Sequence, residues 1–505
     1  MRRVVNRRRF LQLLSAAGIG VHLGACEDYE ATTGPGGSGG TGGTGGSGGA
    51  GGTGGTTSTT GGGAKVLVIG GGLAGLTAAW ELDKKGHQVT VIEGQTRVGG
   101  RVHTHRDGWE NGQHVEEGAV RIPDVHEHTV QLATDLGLTL EEFQSGDPLY
   151  YIDGTAFKHE DGMPWPVAGL VGDEVDKGLA KYDDYILPFF EEFGNYRLGE
   201  FPKPGALQAY GGMSWAEFLE SKGASDPWIK LYASDNGSEI SKIAALIWMA
   251  TEVADYDWNK TYHIQGGNDQ LATKLAEKLG DKVLLGRKVL KIEHTDTGVT
   301  VHVDNAGTME TFTGDHLVCA IPFSTLRKVE ISPALPADKS MVISDLYMMP
   351  SSRGFFQTSD RFWQDQGLGG IKLVKTDTPV ERIWDLSNVQ AGDTGMLMSY
   401  MQYENALAFD ALPEAGRKAY LEDIIDGFFP GFAGKVVAYH QKSWALDPWV
   451  EGAWTDLLPD QWAWFDIIRR AEGRIHFAGE HTSIWAGWMQ GAIESGKRAA
   501  TEITG

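Results

Sequence analysis

The chain has 505 residues, 41% hydrophobic and 22% charged, so it is long enough for a large buried core and ordinary in composition for a globular protein. A formal net charge of -23 excludes the basic footprint of a nucleic-acid-binding protein. Two cysteines, Cys26 and Cys319, exclude both a disulfide framework and a cysteine-based zinc site.

Residues 1–33 read as a signal region rather than as fold. "NRRRFLQ" (6–12) sets consecutive arginines before Phe-Leu, and the apolar stretch that follows is too short and too Gly-rich to span a bilayer. The segment resembles a twin-arginine export signal, a route that carries folded, cofactor-loaded proteins. "LGAC" (23–26) resembles a bacterial lipobox, which makes Cys26 the expected lipidated N-terminus. The expected location is therefore periplasmic or cell-surface, on a lipid anchor in a membrane. Residues 34–63 hold no charged residue and almost nothing but Gly, Thr and Ser, the composition of a flexible tether.

"KVLVIGGGLAGLTAAWELDKKGHQVTVIEG" (65–94) is one βαβ unit. The apolar run Val66–Ile69 suits a strand buried on both faces of a parallel sheet. Leu73, Leu76, Ala79 and Leu82 then recur at helical spacing, Gly86 ends the helix, and "QVTVIE" alternates as a second strand. Gly70, Gly72 and Gly75 form G-x-G-x-x-G at the strand-to-helix junction. The first allows the tight turn, the second lets a pyrophosphate approach the backbone, and the third lets the helix pack closely. With Leu73 and Ala74 they bring the helix N-terminus to the phosphates, and Glu93 is positioned for ribose hydroxyls.

"RVGGR" (97–101), ending in Arg101, resembles the second FAD motif of the flavin amine oxidase family, and "GRIHFAGEHTSIWAGWMQGAIESGKRAA" (473–500) resembles its C-terminal motif. The latter reads as a strand, a Gly-rich loop and a helix beginning near Met489, whose amides would face the flavin's pyrimidine edge. "HIQGGNDQLATKLAEKL" (263–279), "VLKIE" (289–293) and "VCAIPFSTL" (318–326) match intermediate segments in the family's order, from about residue 65 to the end. The resemblance implies FAD as cofactor, with Glu480, Val289, Gly118, Ala119, Val120, Arg121, Gly487, Trp488 and Met489 added to its binding residues. It also implies an α/β fold. A Rossmann-type FAD domain is assembled from 64–104, 263–340 and 455–505, a mixed-sheet substrate domain from 105–150 and 341–454, and 151–262 is a helical insertion. The aromatic "LPFFEEFGNY" in that insertion reads as core before it reads as a substrate funnel.

"EEGAVRIP" (116–123) places Arg121 among apolar neighbours, where a guanidinium needs an anion. Glu116, Glu117 and Asp124 are close in sequence and could serve. The stretch also resembles the L-amino acid oxidase branch of the family, in which this arginine binds the substrate α-carboxylate. A planar fork matches a carboxylate in bidentate fashion and turns the Cα–H bond toward the flavin. By the same resemblance Tyr400, in "GMLMSYMQYENALAF" (395–409), shares the carboxylate, the Gly487 carbonyl accepts from the amine, and Trp488 walls the pocket. The expected reaction oxidises an L-amino acid to a 2-oxo acid, ammonia and hydrogen peroxide, with oxygen or another acceptor taking the electrons. The alternative is an amine or N-heterocycle oxidase or dehydrogenase in which Arg121 is structural. One position departs from the family: anchored on "DRFWQD" (360–365), its usual flavin-side lysine falls on Arg353, which keeps a charge there but cannot give up its proton. A second copy of the chain is a further expected partner.

Overall fold

The computed structural model describes residues 63–505; the expected signal region, the expected lipidation at Cys26 and the Gly/Thr/Ser stretch up to residue 62 lie outside the described residues. Lys65–Ile69 is a fully apolar strand after its first residue and forms the centre of a five-stranded, all-parallel sheet. Its neighbours are Gln88–Ile92 on one side and His316–Cys319 on the other, with Val283–Leu284 and Ile475–Phe477 at the edges. The sheet draws on three separated parts of the chain, as a Rossmann-type domain assembled from discontinuous segments requires. The helix Leu73–Lys84 packs against the C-terminal helix Met489–Thr504, and a Cβ on Gly496 would lie 2.4 Å from the Ala74 carbonyl oxygen. Backbones this close need glycine, and the pair seals the FAD half with Leu76, Ala79, Ile493 and Ala500.

A four-stranded sheet, ordered Thr308–Gly314, Val299–Asn305, Lys288–His294 and Glu330–Ser332, extends this half. The substrate half is a seven-stranded mixed sheet. Its order is Val436–Ser443, Ser351–Thr358, Gly395–Gln402, Arg382–Asp385, Lys372–Thr376, Leu149–Ile152 and Thr155–Phe157. Every residue of Ser351–Thr358 and Gly395–Gln402 is buried, because the strands are central and covered on both faces. That burial carries Arg353, Gln357, Ser399 and Gln402 inside, where each needs a partner.

The helices of the insertion begin at Glu174 rather than at residue 151. The segment before them forms the two edge strands just named, since Leu149, Tyr150 and Ile152 bury themselves against the sheet. Trp215, Phe218 and Trp228 are the helical core, and Phe190 and Phe193 of "LPFFEEFGNY" join it. Cys319 is buried at the end of its strand, and burial pushes its thiol up to about 12, so it is inert at neutral pH. Among the described residues no helix is long and apolar enough to cross a membrane.

Candidate active site

The glycine-rich junction has the geometry a pyrophosphate needs. Gly70 takes φ +102°, and a Cβ on Gly75 would fall 2.0 Å from the Gly70 carbonyl oxygen. A Cβ on Gly72 would meet nothing within 4 Å, so the space ahead of the helix start is open to a ligand. Leu73 and Ala74 form the buried first turn. Glu93 caps the far side. Its Oε2 accepts from the Gly71 amide at 2.6 Å and its Oε1 from the Gln95 amide at 2.7 Å. Burial pushes this carboxyl up, against the pull of those two amides. Val289 sits on the strand Lys288–His294, two residues beyond Arg287, whose amide donates to the Glu93 carbonyl at 2.8 Å.

The "RVGGR" loop locks onto this junction through the Gly99 amide, which donates to the Gly71 carbonyl at 2.9 Å. Arg101 then reaches across the site to the C-terminal motif, with Nη1 2.7 Å from Glu480 Oε1 and 2.9 Å from the Ala453 carbonyl. Glu480 Oε2 accepts from the amides of Gly487 (3.0 Å) and Thr455 (3.3 Å). One carboxylate therefore ties together three segments distant in sequence. Gly118 is pressed so close to Arg101 that a Cβ would meet its carbonyl oxygen at 1.6 Å, and the Ala119 amide donates to the same oxygen at 3.3 Å. Val120 is buried beyond it. Trp488 is the N-cap of the helix that starts at Met489. These groups fit an FAD: open space and amides for the pyrophosphate, an acid for ribose, and a helix N-terminus for the ring.

Arg121 lies within a cage of three tryptophans. Its guanidinium carbon is 4.7 Å from the ring centre of Trp384, 5.2 Å from that of Trp488 and 5.3 Å from that of Trp258. The acids close to it in sequence also bind other groups. Glu116 accepts from Thr104 and from the Asn268 amide, Glu117 meets His103 and His440, and Asp124 accepts from the Asn259 amide. Trp384 also contacts Tyr400, ring centres 5.2 Å apart, and Trp454 lies 6.4 Å from Tyr400. Gly487, at φ +78°, backs onto Trp454: a Cβ there would be 3.2 Å from the indole. Arg121, Tyr400, Gly487 and Trp488, from three distant parts of the sequence, are thus joined in one aromatic cluster, Arg121 to Trp488 directly and to Tyr400 through Trp384, and Gly487 to Tyr400 through Trp454.

Arg353 pairs directly with Tyr400 across the central strands, its guanidinium 4.4 Å from the Tyr400 ring centre. Its Nη1 donates to the carbonyls of Glu116 (3.1 Å) and Gly118. It therefore holds the base of the stretch that carries Arg121. Arg382 covers Tyr400 as well, at 4.7 Å, and binds Gln402, whose Nε2 donates to Glu239 at 2.8 Å. Burial pushes the Glu239 carboxyl up to about 8 against the pull of Arg382, and Glu381 adds to the rise. His481 is buried with both ring nitrogens unpartnered, and burial, reinforced by Arg101, pulls it down to about 3, so it stays neutral. Behind Trp488, His126 packs edge-on at 4.9 Å and binds Asp255 at 3.1 Å, which also accepts from Trp485.

Trp258, Trp384, Trp454, Arg382 and Glu239 had no signal in spacing. They come from three elements and a loop that only the fold unites, and the tryptophan-rich composition was the sole hint. Comparison with known proteins places the chain in a family. The flavin containing amine oxidoreductase family model matches residues 73–504. The flavin-dependent L-tryptophan oxidase RebO of Lentzea aerocolonigenes is 31% identical over 88% of this chain and 98% of its own. An L-amino-acid oxidase of Pseudechis australis is 28% identical over 87% of this chain and 86% of its own. In fold, putrescine oxidase (TM-score 0.76, 22% identity, 87% of this chain and 99% of that one) is similar. So is cyclohexylamine oxidase from Brevibacterium oxydans IH-35A (TM-score 0.74, 22% identity, 87% and 98%). With FAD as its cofactor and an α/β amine-oxidase fold, the chain belongs to the flavin containing amine oxidoreductase family.

Proposed function

We propose that the protein oxidises an L-amino acid. The observation that carries this reading is the Arg121 guanidinium, ringed by Trp258, Trp384 and Trp488 and joined through Trp384 to Tyr400. Ring faces attract a cation without consuming its N–H donors, so this packing is compatible with bidentate carboxylate binding. Arg121 and the Tyr400 hydroxyl hold the α-carboxylate, the Gly487 carbonyl accepts from the α-amine, and Trp488 walls the side chain. Three fixed points orient Cα. Bound FAD supplies the two-electron acceptor for the Cα hydride, and its reoxidation by oxygen yields hydrogen peroxide. The imino acid hydrolyses in water to a 2-oxo acid and ammonia. No side-chain base is needed when the amine arrives neutral, and His481, held neutral, is not a proton donor to the substrate. The names of the relatives, L-tryptophan and L-amino-acid oxidases, support the same substrate class.

Anaerobic mixing with a panel of L-amino acids and their decarboxylated amines tests the reading. Amino acids should bleach the flavin. Bleaching by amines alone would replace it with an amine oxidase in which Arg121 is structural. The Arg121→Met variant should raise KM for amino acids at least tenfold while leaving KM for the matching amines within a few-fold, as two charge-assisted bonds of about 1.5–3 kcal/mol each are at stake. Export by the twin-arginine route and lipidation at Cys26 belong to the same proposal. Cell fractionation of wild type against Cys26→Ala checks them, the variant being expected in the soluble fraction.

A further inference from the structure

Outside the Arg121 pocket, three histidines converge on one buried carboxylate. His103 follows the "RVGGR" loop, His105 ends the strand Thr104–His105, and Glu117 follows its partner strand Val115–Glu116. His440 arrives from Val436–Ser443, more than three hundred residues later. Glu117 Oε1 lies 2.6 Å from His440 Nε2 and 3.9 Å from His105 Nδ1, and Glu117 Oε2 lies 2.7 Å from His103 Nδ1. The ligand-type atoms of His105, Glu117 and His440 are all within 4.8 Å of one another.

An ion pair alone does not account for this arrangement. His103 and His440 each occupy one oxygen of Glu117, and His105 stands beside them, 3.9 Å away, without a hydrogen bond to it. The rings of His105 and His440 stack face to face at 4.0 Å with planes 2° apart, a contact two cations would oppose.

We propose that His105, Glu117 and His440 bind a first-row divalent cation, with Zn2+ as the ion that best suits two imidazoles and one carboxylate, a water taking the fourth position. Four-coordinate Zn2+ with bonds of ~2.0–2.1 Å keeps its ligand atoms about 3.3 Å apart. Glu117 Oε1 lies 2.6 Å from His440 and 3.9 Å from His105, distances that straddle that spacing. In the metal-bound form His440 carries its ring proton on Nδ1, which frees Nε2 for the ion, and His103 keeps its bond to the other Glu117 oxygen. The surrounding groups already orient the ligands. The Trp444 indole donates to the Glu117 carbonyl at 2.8 Å, and the Glu117 amide donates to the His103 carbonyl at 3.0 Å. Phe355 lies along His440, and Trp109 meets both stacked rings edge-on. Lys442, the nearest competing cation, is paired with Asp447 at 2.7 Å. Side chains of His105 and His440, 23% and 27% exposed, leave a path from solvent. An ion held here braces the base of the stretch that ends in Arg121.

Isothermal titration of chelator-treated, FAD-loaded enzyme with Zn2+ tests the site. Wild type should bind one ion per chain. His105→Ala and His440→Ala should each weaken that event at least tenfold, while His294→Ala, at an exposed histidine bonded to the Pro333 carbonyl, should not. His105→Ala guards against misfolding, because His105 makes no hydrogen bond to Glu117, and an unchanged flavin spectrum verifies the fold. Absence of a saturable one-to-one event, or wild-type affinity in both variants, would overturn the proposal.

Discussion

At the scale of the residue, the site is governed by how charge is shared among buried groups. Glu239 is the test case, because its carboxyl titrates near 8 and it interacts electrostatically with Arg121. Below that pH it is neutral and leaves the Arg121 charge to the substrate. As pH rises through about 8 its anion forms and competes for Arg121. KM for an amino acid should therefore climb several-fold between pH 7 and 9.5 in wild type and stay flat in Glu239→Gln, with decarboxylated amines as controls for titration of the substrate amine. A flat wild-type profile would break the coupling. The stability sign is the same: a raised folded pKa gives stability present below the ordinary carboxyl range and lost as pH rises through about 8, so Glu239→Gln should gain in Tm over wild type at pH 9 more than at pH 5. Arg353 presents a different balance. It donates to two carbonyls of the 116–118 turn and stacks on Tyr400, so Arg353→Met leaves buried acceptors unpaired. That variant should lose about 3 kcal/mol or more of stability, and amide exchange across residues 116–121 should accelerate.

At the scale of the element, the strand-turn-helix that opens the body was legible because local rules specify it completely. A buried apolar strand, three glycines at fixed spacing and an acid at the end of the next strand each have one physical use, and the structure realises each at the expected position. The C-terminal helix starting at Met489 was legible for the same reason. Gly75 carries the sharpest consequence: a methyl there collides with the Gly70 carbonyl at 2.0 Å. Gly75→Ala should cut the flavin-to-protein absorbance ratio of purified enzyme more than tenfold, with little loss of far-UV dichroism. The helical insertion was less legible at its edges. Leu149–Ile152 and Thr155–Phe157 look like a lead-in to helices, but long-range pairing with Lys372–Thr376 makes Leu149–Ile152 a strand. The tryptophan cage was illegible altogether. Trp258, Trp384 and Trp488 sit in the loop before the strand Thr261–Ile264, on a central strand and at a helix cap, and no periodicity links such positions.

At the scale of the whole molecule, the body between Gly63 and Gly505 is one compact unit closed by its own ends. Its first strand is anchored internally: the Lys65 amide donates to Asp315 Oδ2 at 2.7 Å, and the Asp315 amide returns a bond to the Lys65 carbonyl, also at 2.7 Å. Its last helix is equally committed, with Gly496 against Ala74 of the nucleotide-binding helix and Trp488 at Arg121. The two ends therefore make opposite demands. A chain beginning at Gly63 keeps every bond of the parallel sheet, and should purify yellow with the kcat/KM of the longer protein. A chain ending before Met489 loses the helix that covers Leu73–Lys84, exposing Leu76 and Ala79 to water. It should be colourless and aggregate on expression. Flavin content and turnover of the two truncations decide the matter: loss of FAD from the Gly63 chain would mean that the preceding residues help to close the site, which the internal anchoring of Lys65 argues against.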